Sequence, residues 1–147
     1  MSVLRSRLLL HHVCAILFVA LLAIGCGASN PVGPSNQNPV GSSNQPEIGN
    51  SPDSFQFQAS NLSRTTQTLS YSWVHTGTIA NVNQSGAVSA GDARLILRDG
   101  SGNQVYEADL KNTGTFTSST GTAGTWRIEV QLRNVSGTLN FRIQKRS

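Results

Sequence analysis

Few residues of this 147-residue chain belong to types that do chemistry: two cysteines, three histidines and seven carboxylates. His11, His12 and Cys14 lie in an N-terminal apolar run, so Cys26 and His75 are the only thiol and imidazole beyond it. A zinc site takes three or four His, Cys or carboxylate ligands, and this pair does not supply them. His75 has no Ser-His-Asp order and no HExxH spacing around it. It ends a patterned strand beside a turn and reads as a surface-loop histidine. Asp99-Gly100-Ser101-Gly102-Asn103 places oxygen donors at alternate positions, as a calcium loop begins. An EF-hand then needs Gly at the sixth position and Glu at the twelfth. Those positions hold Gln104 and Leu110, so the stretch reads as a hairpin turn. Asp92 with Asp99, or Glu107 with Asp109, are the carboxylate pairs that could serve glycoside hydrolysis. Glu107 and Asp109 are two apart on a strand and share one face, the solvated one. No glycine-rich stretch follows a strand and opens a helix, so there is no phosphate cradle. The expectation is a noncatalytic chain without metal or cofactor, in which Cys26 carries the one specific chemical role.

The elements around Cys26 define that role. Met1 to Arg7 is short and basic, Leu8 to Ile24 is mostly apolar, and small residues follow. This is the layout of a signal peptide. Read as one span, Leu8 to Ile24 has about 17 residues, at the lower edge of what crosses a bilayer; an uncleaved anchor is the other reading. Ala23-Ile24-Gly25-Cys26 resembles the lipobox of bacterial lipoproteins. The resemblance implies cleavage after Gly25, with lipid on the sulfur and amino group of Cys26. Ala23 stands where the family usually has Leu. Each buried methylene is worth about 0.8 kcal/mol and a single acyl chain anchors only marginally. The two or three chains implied here hold durably. The residue after the cysteine is Gly27 and not Asp, which leans toward the outer membrane over the inner one.

Residues 26–52 then form a tether. All five prolines lie here, among Ser, Asn and Gly, with Glu47 the one charge and no aromatic residue. Asn30-Pro31-Val32-Gly33 is echoed by Asn38-Pro39-Val40-Gly41. Such a composition cannot bury enough apolar surface to offset its ordering entropy. As a flexible chain it spans ~28 Å on average, and at most ~90 Å.

Period-two patterning begins at Asp53, and 53–147 reads as one β-domain. Trp126, Ile128, Val130 and Leu132 alternate with Arg127, Glu129, Gln131 and Arg133. Asn134-Val135-Ser136-Gly137 is a turn signal, and Leu139, Phe141 and Ile143 alternate after it, so the pair reads as a hairpin. Phe55 to Ala59, Leu69 to Val74, Thr78 to Asn83, Ala93 to Arg98, Gln104 to Leu110 and a run around Phe116 read as further strands. Ile96 makes its strand apolar on both faces, which places that strand centrally. Seven or eight strands over ~95 residues predict an all-β, antiparallel two-sheet β-sandwich. Its expected core is Phe55, Phe57, Leu69, Tyr71, Trp73, Leu95, Leu97, Trp126, Ile128, Val130, Leu139, Phe141 and Ile143. A large buried side chain contributes about 1.5–3 kcal/mol, so this core can stand without disulfides.

Gly124-Thr125-Trp126-Arg127-Ile128-Glu129-Val130 and Gly137-Thr138-Leu139-Asn140-Phe141-Arg142-Ile143 are similar to the closing strands of bacterial pre-peptidase C-terminal domains and of proprotein-convertase P-domains. Leu95 to Gly102 is similar to the preceding hairpin. The resemblance implies a noncatalytic sandwich and supports fold more than function.

The formal charge is +4, and without Arg5 and Arg7 it falls to +2. Nucleic-acid binders cluster Lys and Arg on one face; the one cluster here, Arg142 with Lys145-Arg146, reads as a solvated tail, so no nucleic-acid partner is expected. The expectation is a membrane-anchored envelope lipoprotein displaying a binding or structural module. Its partners are the membrane, through Cys26, and a protein or glycan. A small carboxylate-dependent envelope hydrolase is the alternative.

Overall fold

The computed structural model describes residues 45–147. Cys26, the leader and the tether up to residue 44 lie outside the described residues. Seven strands follow in order: β1 (Glu47–Ser51), β2 (Ser54–His75), β3 (Ala80–Gln84), β4 (Ala87–Arg98), β5 (Gln104–Asp109), β6 (Gly114–Thr117) and β7 (Gly124–Lys145). Every pairing is antiparallel. The fold is an all-β sandwich, and it arises in an unusual way from strands that are folded in half.

β2 and β7 are 22 residues each and pair along their whole length, from Ser54 with Gln144 to His75 with Gly124. The other edge of β7 takes β3 near its end and β4 near its beginning. The register slips on β2 between Ala59 and Gln67, and on β4 between Val88 and Asp92. Asn61, Arg64 and Asn134 have positive φ within these stretches, as do Gly91 and Gly137. Left-handed backbone inserted into a ladder bends the strand and sharpens its twist. Five such residues on three adjacent strands crease the whole sheet. Hydroxyls take up amides that the slips leave unpaired: Arg64 N donates to Ser136 Oγ (3.0 Å) and Asn134 N to Thr66 Oγ1 (2.9 Å).

The crease divides the sheet into two layers. One holds β1, the first half of β2, the second half of β7, β3 and β6, in that order. The other runs second half of β2, first half of β7, β4, β5. Alternation along each strand turns the apolar residues of both layers toward one another. All thirteen expected core residues are buried. Tyr71 meets Phe55 and Phe57 across the layers, with ring centroids 5.4 and 6.1 Å apart. Gln84 is also buried; its amide accepts from Tyr106 Oη (2.9 Å) and donates to the carbonyls of Asp109 (3.2 Å) and Asn112 (2.8 Å), tying β3 to the opposite layer. β4 lies between β7 and β5, as Ile96 implied.

Three expectations need correction. Trp126 to Ile143 is not a hairpin: Asn134 to Gly137 creases one continuous strand and does not reverse it. Likewise Phe55 to Ala59 and Leu69 to Val74 are halves of one strand. Turn-forming residues mark both events, because both need positive φ. Strand structure also begins at Glu47, ahead of the Asp53 boundary: β1 runs inside the last residues assigned to the tether, pairing Glu47 with Gln58 through Ser51 with Ser54. Backbone hydrogen bonding holds it there, since all five of its residues are exposed.

A side chain at Gly137 would collide with the carbonyl of Ala87, on a backbone at φ +123°. Gly137→Ala is expected to destabilise the domain by about 2–4 kcal/mol. Gly102 also has positive φ but faces open space, so Gly102→Ala is expected to cost about 1–2 kcal/mol. Urea denaturation of the two variants measures the difference.

Candidate functional site

The crease leaves a concavity on the outer face of the β2–β7–β4–β5 layer. It is a groove of about 410 Å³ lined by Thr66, Thr68, Asp92, Arg94, Asp109, Gln131 and Arg133, with parts of Gln67, Ala93 and Leu132. The register explains the gathering. Thr68, Gln131, Arg94 and Asp109 are successive cross-strand neighbours, and Arg133 with Asp92 forms the next row. All point outward because Leu69, Leu95, Val130 and Leu132 point inward. Arg94 Nη1 bonds Glu107 Oε1 at 2.6 Å, and Lys111 Nζ reaches Asp92 Oδ1 at 3.3 Å. Lys111 N donates to Asp109 Oδ1 at 2.8 Å. Among the described residues Arg133 has no acidic partner, and the carboxylate opposite it, Asp92, is paired with Lys111.

The expected carboxylate pairs fare differently. Asp92 and Asp99 are seven residues apart along one extended strand, or roughly 23 Å, and cannot act together. Asp99 is buried in the turn after β4. Its Oδ1 accepts from the amides of Ser101 (3.0 Å) and Asn103 (2.8 Å), and its Oδ2 from that of Thr122 (2.8 Å). The Thr122 amide above all, then those of Asn103 and Ser101, holds this carboxyl below its ordinary 3.8 against the cost of burial. The turn is thus a clasp on the 118–123 segment, as a hairpin-turn reading allows. Glu107 and Asp109 share an outer face, with Glu107 spent on Arg94 and Gln104. The fold instead brings Asp92 and Asp109 to the same groove, a diagonal pair at about 7–8 Å. That juxtaposition depends on the β4–β5 register and had no signature in local spacing.

His75 is the clearest departure from the sequence reading. It is not on a surface loop but at 0% exposure, at the end of the sandwich opposite the crease. Folding β2 in half returns His75 to the vicinity of Asp53. The imidazole stacks on Trp73 (4.5 Å, 15° between planes) and meets Trp126 edge-on (4.4 Å). Its Nδ1 lies 3.4 Å from Asp53 Oδ1, and neither ring nitrogen makes a hydrogen bond. Asp53 Oδ1 accepts from Thr76 N (2.7 Å) and Oδ2 from Thr76 Oγ1 (2.8 Å), while Lys145 Nζ sits 3.6 Å from Oδ2. The Thr76 amide and hydroxyl hold the Asp53 carboxyl below its ordinary 3.8. Burial pushes the imidazole below its ordinary 6.5, outweighing the pull of Asp53. With the ring shut off from solvent, this cluster closes the open end of the folded sheet and does not present a base to a substrate. The strand alternation that buries Trp73 buries His75 two residues on, and that signal was available in the sequence.

Among the described residues no group of three or more His, Cys, Asp or Glu could hold a metal, and no helix is long and apolar enough to cross a membrane. Tyr71, Trp73 and Trp126 are core residues, and Tyr106 is partly buried against them, so none of these rings forms a stacking platform.

No protein-family model matches this chain, and no curated protein matches it. Among solved structures, it is similar to the crystal structure of accessory secretory protein 1, 2 and 3 in Streptococcus pneumoniae, at 10% identity and a TM-score of 0.36, over 69% of this chain and 86% of that one. A likeness this distant says nothing about function.

His75 lowers stability in acid because the unfolded chain takes up a proton that the buried ring refuses. Unfolding free energy is therefore expected to be full above 6.5 and to fall as pH drops from there toward the depressed imidazole pKa. A second fall is expected below 3.8, where the unfolded chain protonates Asp53 and Asp99 before the native state does. His75→Phe should abolish the first step and keep the second. Urea midpoints across the pH range check both.

Proposed function

We propose that this chain is a lipid-anchored lipoprotein of the bacterial envelope, at the outer membrane, whose β-sandwich is a noncatalytic binding module for a glycan. The observation that carries the reading is the crease groove. It is concave and polar, it mixes amide, hydroxyl and both charge signs, and it keeps Arg133 unpaired among the described residues. Sugar hydroxyls both donate and accept, and such a lining answers them on both counts. Arg133 would fork a carboxylate or phosphate on the same polymer. The lipobox-like Ala23-Ile24-Gly25-Cys26 supports attachment, and the Pro- and Ser-rich stretch after it supports reach from the membrane surface.

The alternative, a carboxylate-dependent hydrolase, draws on one specific observation: Asp92 and Asp109 line the same groove, and glycoside hydrolysis takes two carboxylates. Against it, both carboxylates already spend an oxygen on Lys111.

Cys26→Ser is expected to move the protein from the membrane fraction to the soluble one, and unchanged fractionation would sink the anchoring claim. In a glycan panel, Arg133→Ala is expected to weaken the best ligand at least ~10-fold, the loss of about 1.4 kcal/mol of charge-assisted bonding, with the melting temperature unchanged. Release of new reducing ends from that ligand, abolished by Asp92→Asn, would replace the binding reading with the hydrolase.

A further inference from the structure

The sandwich has four strand edges that no other described strand covers, and they are not alike. A free edge invites pairing, and proteins blunt it with shortness, charge or proline. β1 is five residues long, carries Glu47 and follows Pro46. β6 is four residues long. β5 carries Glu107 and Asp109. The fourth edge is the second half of β2, from Thr66 to Val74, and it has none of these devices. It runs nine residues, Thr-Gln-Thr-Leu-Ser-Tyr-Ser-Trp-Val, without charge, proline or glycine. Leu69, Tyr71 and Trp73 are buried, and Thr68, Ser70, Ser72 and Val74 are exposed. Val74, at 51%, is the most exposed large apolar residue among the described ones.

The backbone at this edge can be assigned. Val74 O accepts from Asp53 N (2.9 Å) and Ser72 O from Asn50 Nδ2 (2.9 Å). The even-numbered residues therefore turn their N–H and C=O groups away from β7. Thr68 and Ser70 follow the same phase, and no described residue takes their outward groups.

We propose that two copies of this chain pair edge to edge through the second half of β2. The strands run antiparallel about a twofold axis at Leu69, so that Thr68 of each copy faces Ser70 of the other. Residues paired this way exchange both N–H···O bonds. The pairing satisfies the outward groups of Thr68 and Ser70 and joins two four-stranded layers into one sheet, β5-β4-β7-β2 followed by its mirror order. A second copy fits this edge because the edge is self-complementary. A twofold axis sets each residue against its own neighbours, so any charge would meet its like, and there is none. Thr opposite Ser adds side-chain hydrogen bonding. The pairing needs neither the lipid anchor nor a ligand in the groove, although Thr66 and Thr68 belong to both the edge and the groove.

Sedimentation of the full chain in detergent tests it, up to the ~1 mM effective concentration that confinement can supply. Wild type is expected to dimerise. Thr68→Lys with Ser70→Lys puts ammonium groups opposite each other across the axis and is expected to raise the dimer Kd at least tenfold. Thr68→Glu with Ser70→Glu should do the same. Both pairs sit on an exposed face, so circular dichroism and melting should match wild type. An equal mixture of the Lys and Glu variants is expected to recover the dimer, because opposite charges then face each other. A dimer untouched by these substitutions, or two weakened variants that fail to recover on mixing, overturns the proposal. So does a wild-type chain that stays monomeric at the highest concentration, which would leave the edge to a strand from a different protein.

Discussion

A left-handed backbone at Asn61, Arg64, Gly91, Asn134 and Gly137 is the constraint on which the rest of this molecule depends. Strands of 22 residues would extend about 75 Å if straight, far beyond what a domain of this size can cover. Laid flat, their apolar face would have nothing to pack against. The crease turns each long strand back on its own sheet, so that one continuous hydrogen-bonded surface supplies both layers of a sandwich. The cost is local strain and broken register, offset by hydroxyl bonds from Ser136 and Thr66 and by the glycines that let Asn134 and Ala87 approach.

Folding a strand in half brings its ends together, and those ends need a closure. Trp73, His75 and Trp126 fill it with flat aromatic surface, and Asp53 ties the two ends of β2 with bonds to Thr76. The His75 imidazole serves here as packing surface. Its burial lowers its pKa, and Asp53 lies 3.4 Å from Nδ1 without a hydrogen bond to it.

The same crease makes the outer surface uneven. On the outer face of the β2–β7–β4–β5 layer it opens a groove where Arg94, Arg133, Asp92 and Asp109 converge from β4, β5 and β7. On the flank it exposes an uncharged edge of β2, because β1 is long enough to cover only the first half of that strand. The groove and the uncovered edge are thus two consequences of one bend.

Much of this was legible in the residues themselves. Alternation alone named the core, since a strand with one buried face must repeat every two residues, and it located β4 at the centre through Ile96. The Cys26 motif and the tether composition are likewise local, and their reading rests on sequence alone. Strand count and connectivity were not local. Asn134-Val135-Ser136-Gly137 has the chemistry of a turn, and positive φ serves a reversal and a crease equally well; the choice between them lies in which strands flank it. The groove and the burial of His75 follow from that choice. Sequence determined which side of each strand faces the core, because that is a property of neighbouring residues. Only the tertiary structure decided which distant strands meet, because cross-strand register is set by pairing partners tens of residues away.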